Sequence, residues 1–206
     1  MLSLKQKLDD TIAIDGVAYP LNLSFDNVLR WYDLMNDETV DDMGKVEIAF
    51  DMFVVKCKTD IQTKLYTVQR IIDEYVVGNQ EQPNDGTEDP ADQKSFYSFD
   101  KDAEFIYASF LQEYGIDLLD QQGIMRWEKF VALLNGMRDK TKFRQIIGIR
   151  AAELPTGSDE YSVKERERLE ELKQIYALDK NQSVEEQDAA MDGMFKSLVN
   201  MAKKGG

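Results

Sequence analysis

The sequence predicts a mainly α protein: a small N-terminal β-hairpin followed by two helical subdomains joined by an acidic linker. Three observations predict this. Apolar residues recur at three- and four-residue spacing through most of the 206-residue chain. One short stretch around Asp15-Gly16 alternates instead. Residues 79–96 hold hardly any large apolar side chain and cannot bury enough surface to offset their ordering entropy.

The elements follow in order. Thr11–Ile14 and Val17–Tyr19 flank Asp15-Gly16, a two-residue turn whose central positions both need φ > 0. Pro20 is expected to limit further ladder pairing. Ser24 is placed to cap a helix through Asn36, with Phe25, Val28, Leu29, Tyr32 and Leu34-Met35 inward. A second helix covers 40–56, with Val46, Ala49-Phe50, Phe53 and Val54 inward and Cys57 at its end as a small buried hydrophobe. A third begins near Thr59 and carries Ile61, Leu65, Val68, Ile72 and Tyr75 on one face. Beyond the linker, Ala103, Ile106-Tyr107, Phe110 and Tyr114 share a face that Gly115 ends. Helices over 124–135 and 142–152 follow, the latter opened by Thr141. After the break at Pro155 and Gly157 comes a charged helix over 162–178, with Leu169, Leu172 and Ile175-Tyr176 as its stripe. Ser183-x-x-Glu186 then opens an amphipathic tail helix. The expected division is 1–78, linker 79–96, 97–178, and a C-terminal helix or tail over 179–206.

Composition narrows the chemistry. The chain has no histidine and one cysteine, so Ser-His-Asp triads, Cys-His pairs and the usual zinc sites are excluded. A single thiol fits a reducing compartment. The first ten residues lack the apolar core of a secretory signal, and no run of about 18 apolar residues could span a bilayer. Asp100-x-Asp102 with Glu104 suggests a divalent-metal cluster, but carboxylates in a first helical turn are what capping and the helix dipole already favour. No phosphate-cradling glycine motif occurs. The expectation is a protein that is not an enzyme and needs no cofactor.

Charge bears on partners. With 25 Lys+Arg against 39 Asp+Glu, the net charge of -14 repels phosphate backbones, so nucleic acid is not an expected partner, and neither is a membrane. Residues 99–155 are nearly neutral, with 8 basic and 9 acidic groups, and there Arg138, Lys140, Lys142, Arg144 and Arg150 are opposed only by Asp139. That cluster reads either as a solvated turn and helix start or as a docking patch for an acidic surface. Met191, Met194 and Met201 read as a face packed on its own domain, or as an adaptable surface for apolar helices. Trp127 and Phe130 read as core, or as aromatic anchors.

The stretch Phe99-Asp100-x-Asp102-Ala103-x-x-Ile106-Tyr107-Ala108-x-Phe110-x-x-x-Tyr114-Gly115-Ile116-Asp117-Leu118 resembles a known family. So do Met125-Arg126-Trp127-x-x-Phe130-x-x-Leu133-Leu134-x-Gly136 and Phe143-x-x-Ile146-Ile147-x-Ile149-Arg150, together with Ile14-Asp15-Gly16-x-x-Tyr19. They are similar to the small tail proteins of long-tailed bacteriophages, and of prophages in Gram-positive bacteria, encoded just before the tape-measure protein. The resemblance covers roughly residues 11–178. It implies a tail-assembly chaperone that binds apolar helical segments of the tape-measure protein, keeps it soluble and helps bring tail-tube subunits to it, without ATP. Head-to-tail self-association along an extended client is a further expectation. Such a protein works in the host cytoplasm and is absent from the finished virion. A minor structural role in the tail and an acidic DNA-mimic inhibitor are the alternatives. The candidate partner-binding residues are Trp127, Phe130, Phe143, Arg138, Lys140, Lys142, Arg144, Arg150, Met191, Met194, Phe195 and Met201.

Overall fold

The computed structural model describes residues 4–77, 96–178 and 184–204. It is mainly helical, with eight α-helices among these residues behind an N-terminal hairpin. The expected linker, apart from Phe96, lies outside the described residues. These residues form two compact units: 4–77, 119–135 and 187–204 make the first, and 96–118 with 136–178 belong to the second.

In the first unit, β1 (Thr11–Ile14) and β2 (Val17–Pro20) pair antiparallel with Ile14 opposite Val17. Asp15 and Gly16 both take positive φ, 50° and 79°, as a primed turn requires. Ile12 and Ile14 point into the core, which is how a two-stranded ribbon gains stability it lacks alone. Pairing does not stop at Pro20: its carbonyl accepts Val55 N–H, and Asn22 N–H donates to Phe53 O. Proline lacks a donor but keeps its acceptor, so the hairpin continues onto the end of the second helix.

Three helices follow: α1 (Phe25–Asn36), α2 (Asp42–Phe53) and α3 (Ile61–Ile71), the last running into a π-helical turn, Ile72–Val77. Asp41 caps α2 by accepting Gly44 N–H, and Asp60 caps α3 by accepting from Gln62 and Thr63. Val46, Phe50, Phe53, Leu65 and Val68 are buried as expected, joined by Trp31 and Ile71, which the expected α1 and α3 stripes omitted. The buried Asn27 amide donates to Asn22 O and Met52 O.

Ser24 occupies the cap position of α1, but its hydroxyl donates to Asn22 Oδ1 instead of accepting a helix N–H. The first helical N–H, on Phe25, donates to Met125 O, and Trp127 N–H donates back to Leu23 O. A segment about a hundred residues away thus supplies the cap, and α5 (Trp127–Asn135) packs on α1 and the π-helical turn. This corrects the division read from sequence, which put 97–178 in one C-terminal subdomain: residues 119–135 complete the first unit. Phe25 stacks on Phe130 at 5.0 Å, Trp127 stacks on Phe130 at 5.5 Å, and the Trp127 indole N–H donates to Val76 O at 3.2 Å. The Arg126–Glu128 pair, with Glu128 buried, reaches Asp9 O and Asp10.

Asp26 ties the same segment down through Gly123 N–H at 2.8 Å. Burial pushes its pKa up, but the bonds from Gly123 N–H and the Arg30 guanidinium help to outweigh that and hold it below the ordinary carboxylate value. A carboxyl depressed in the folded state stabilises above its unfolded pKa of about 3.9 and loses that contribution as pH falls through the folded value. Asp26→Ala should therefore cost about 1.5 kcal/mol at pH 7, and the gap to wild type should narrow as pH is lowered toward about 3. Urea titrations at the two pH values read this, and a gap unchanged with pH would refute it.

The second unit holds α4 (Ala103–Tyr114), α6 (Lys142–Ala151) and α7 (Glu160–Ile175). Gly115, at φ 66°, ends α4, and Thr141 caps α6 by accepting Arg144 N–H. Phe99, Ile106, Phe110, Phe143 and Ile146 are buried here. The α7 stripe is only half covered: no α7 residue is buried, and Ile175 is 62% exposed, against the expectation of an inward face. The last helix, α8 (Val184–Lys204), lies against the first unit from residue 187 onward.

Candidate functional site

Three apolar stripes run out at the same end of the first unit. On α2, Met43, Val46, Phe50 and Phe53 share a face, yet Met43 in the first turn is 42% exposed while the other three are fully buried. On α3, Ile61 heads the face of Leu65 and Val68 and is half-buried. On α8, Leu198 is buried, but Met201, one turn later, is 62% exposed. Each helix carries its apolar pattern about one turn past the point where a neighbour covers it.

The result is an open groove of about 420 Å³ lined by Met43, Ile61, Gln62, Leu65, Leu198, Met201 and Ala202. Among the described lining residues Gln62 is the single polar side chain. Two thioethers at the mouth suit a surface that accepts apolar side chains of varied shape, because methionine is unbranched and polarizable. Asp42 and Asp60, one residue before Met43 and Ile61, are exposed, so acidic groups flank the apolar floor. Hydrogen bonds from Thr63 to the Asp60 carboxylate hold its pKa below the ordinary value. The groove can bury an apolar face with basic flanks; its described lining residues include no nucleophile or base. Among the described residues no group of three or more acidic or thiol side chains is placed to hold a metal.

The candidate residues read from sequence separate sharply. Met201 lines the groove. Trp127, Phe130 and Phe143 are interior side chains, 0–2% exposed, and offer no surface to a partner; this corrects their reading as anchors. Met191 and Phe195 are buried where α8 meets the first unit, with Met194 half-buried. Arg150 leaves the basic cluster altogether: its guanidinium makes a bidentate pair with Asp102, at 2.6 and 2.8 Å, with side-chain exposures of 7% and 0%. That pair also disposes of the Asp100-x-Asp102 metal reading, since both Asp102 oxygens are engaged. Arg138, Lys140 and Lys142 are exposed and Arg144 half-buried. Arg138 pairs with Glu113, depressing its carboxyl pKa, Arg144 lies 3.9 Å from Asp139, and Lys142 donates to the Tyr176 hydroxyl. Reading by spacing missed Met43, and it took Ile61 and Leu65 as interior only.

Residues 4–178 match the sequence pattern of the bacteriophage Gp15 protein family. The chain is a member of that family. Neither a curated protein nor a solved structure matches the Gp15-family chain. The match takes in the hairpin and α1 to α7 and ends before α8, so the groove of this Gp15-family protein has two walls inside the matched region and one outside it. Among its described residues no helix is long and apolar enough to cross a membrane.

Proposed function

We propose that this phage protein is a tail-assembly chaperone that covers apolar helical segments of the tape-measure protein. It keeps that client soluble and helps bring tail-tube subunits to it, by binding alone, with no bond made or broken. The observation that carries this reading is the open, methionine-mouthed groove at the end of the first unit. An apolar helix exposed in water aggregates unless its face is covered, and helix-in-groove docking covers it with anchors at i, i+3, i+4 and i+7. A net charge of -14 keeps a loaded complex dispersed. The resemblance of the central motifs to proteins encoded beside the tape-measure gene supports the choice of client. Release follows from competition by polymerising tube protein in the host cytoplasm, and the chaperone stays out of the finished virion.

Co-expression tests the reading. The tape-measure protein should be soluble with this chain and pellet without it. Met43→Asp places charge at the mouth on an exposed position, so the fold should hold while capture weakens about tenfold or more, the loss of one anchor worth about 1.4 kcal/mol. A client equally insoluble with and without the wild-type chain would end the proposal. Stoichiometric amounts of the chain in purified particles, read by mass spectrometry, would favour a structural tail component instead.

A further inference from the structure

Helix α8 already docks in the manner a helical client would. Met191, Phe195 and Leu198, at i, i+4 and i+7, are 5%, 1% and 7% exposed. At the start of this stretch the Tyr32 hydroxyl of α1 donates to Asp188 Oδ1 at 2.8 Å. At its end Leu198 and Met201 line the groove with Met43, Ile61 and Leu65. The outward side carries Asp192 and Lys196, paired with each other and exposed. The open groove is therefore the continuation of the seat that α8 occupies: one apolar track, filled up to Leu198 and uncovered beyond it.

We propose that α8 is an intramolecular placeholder, seated on the surface that an apolar helix of the client takes, and that client binding displaces it. This rests on the chaperone reading above. The track without α8 would be a long exposed apolar face on a protein waiting for its client, a direct aggregation hazard. A tethered amphipathic helix covers it at high effective concentration yet remains exchangeable, because it is held by side-chain anchors and its last turn is already uncovered at Met201. The client engages Met43, Ile61 and Leu65 first and then replaces Leu198, Phe195 and Met191 in turn. The client that fits is a helix with large apolar side chains at i, i+4 and i+7 and basic residues beside them, to meet Asp42 and Asp60. Seating α8 weakens the client's apparent affinity by the fraction of molecules left open, about a hundredfold if one molecule in a hundred is open.

The test uses the full chain and a fluorescent synthetic peptide of residues 184–204, followed by anisotropy. Met191→Ala/Phe195→Ala loosens α8 without touching a groove residue, and the peptide should bind this variant at least tenfold tighter than wild type. Equal or weaker binding overturns the placeholder. A second measurement needs no variant: hydrogen exchange of the wild-type chain saturated with an apolar tape-measure segment. Amides of 187–202 should lose protection while those at the start of α3 keep theirs; α8 staying protected overturns the proposal. The two readings fail separately. A variant that gains no peptide while wild type still solubilises the tape-measure protein sinks the placeholder alone. Gained peptide binding by a chain that never solubilises that client sinks the chaperone reading and leaves α8 as a placeholder.

Discussion

Asp102→Ala is expected to lower the stability of the second unit by about 3–5 kcal/mol, a large share of the 5–15 kcal/mol typical of a whole domain. The reason is the charge left behind. The Arg150 guanidinium is buried and donates to Asp102, Phe96 O and Tyr176 O, so it gathers the segment before α4, the end of α6 and the end of α7. Asp102 also accepts Ser98 N–H at 3.0 Å. Removing the carboxylate orphans that N–H and leaves a largely buried cation without its partner. Asp102→Ala/Arg150→Met removes both charges and should recover most of the loss, since an apolar pair of similar volume is often neutral or better. Urea unfolding followed by circular dichroism reads both variants. A single variant within about 0.5 kcal/mol of wild type, or a double variant no better than the single, would show that the pair is not what holds these segments.

Trp127→Ala should be as severe in the first unit, again about 3–5 kcal/mol. The indole is fully buried, stacks on Phe130, lies 6.1 Å from Tyr32, and donates to a carbonyl in the last turn of the π-helix. Its loss leaves a large cavity and an orphan acceptor at the point where residues 119–135 join α1. Client capture by this variant should fall only as its folded fraction falls. Met43→Asp should do the reverse, losing capture at nearly unchanged thermal midpoint. Measuring midpoint and client solubility on the same two variants separates interior from surface. A Trp127→Ala protein as stable as wild type that no longer captured client would return the indole to the binding surface.

These two residues also mark what spacing conveys. Trp127 sits at helical spacing with Phe130, Val131 and Leu134, and that stripe is buried. Spacing says that a face is buried, not against what. The expected boundaries joined α5 to its sequence neighbours; the bonds Phe25 N–H to Met125 O and Trp127 N–H to Leu23 O join it to α1. Arg150 stood in a run of cations and read as surface charge, because its counter-ion lies 48 residues earlier. Asp102 likewise read as a first-turn carboxylate favoured by the helix dipole, and its tertiary partner gives it a different role.

Sequence alone determined the local features: the positive-φ turn at Asp15-Gly16, the α4 stop at Gly115, the Thr141 cap, and the inward faces of α2 and α5. These depend on neighbours within about four residues, where backbone sterics and helical periodicity leave few choices. The tertiary structure alone decided which stripe meets which, and therefore that those of α2, α3 and α8 overrun their cover at one end to leave Met43, Ile61, Leu65 and Met201 around an open groove. An apolar side chain is satisfied by any partner of suitable size, so nothing in its own segment records which one it finds.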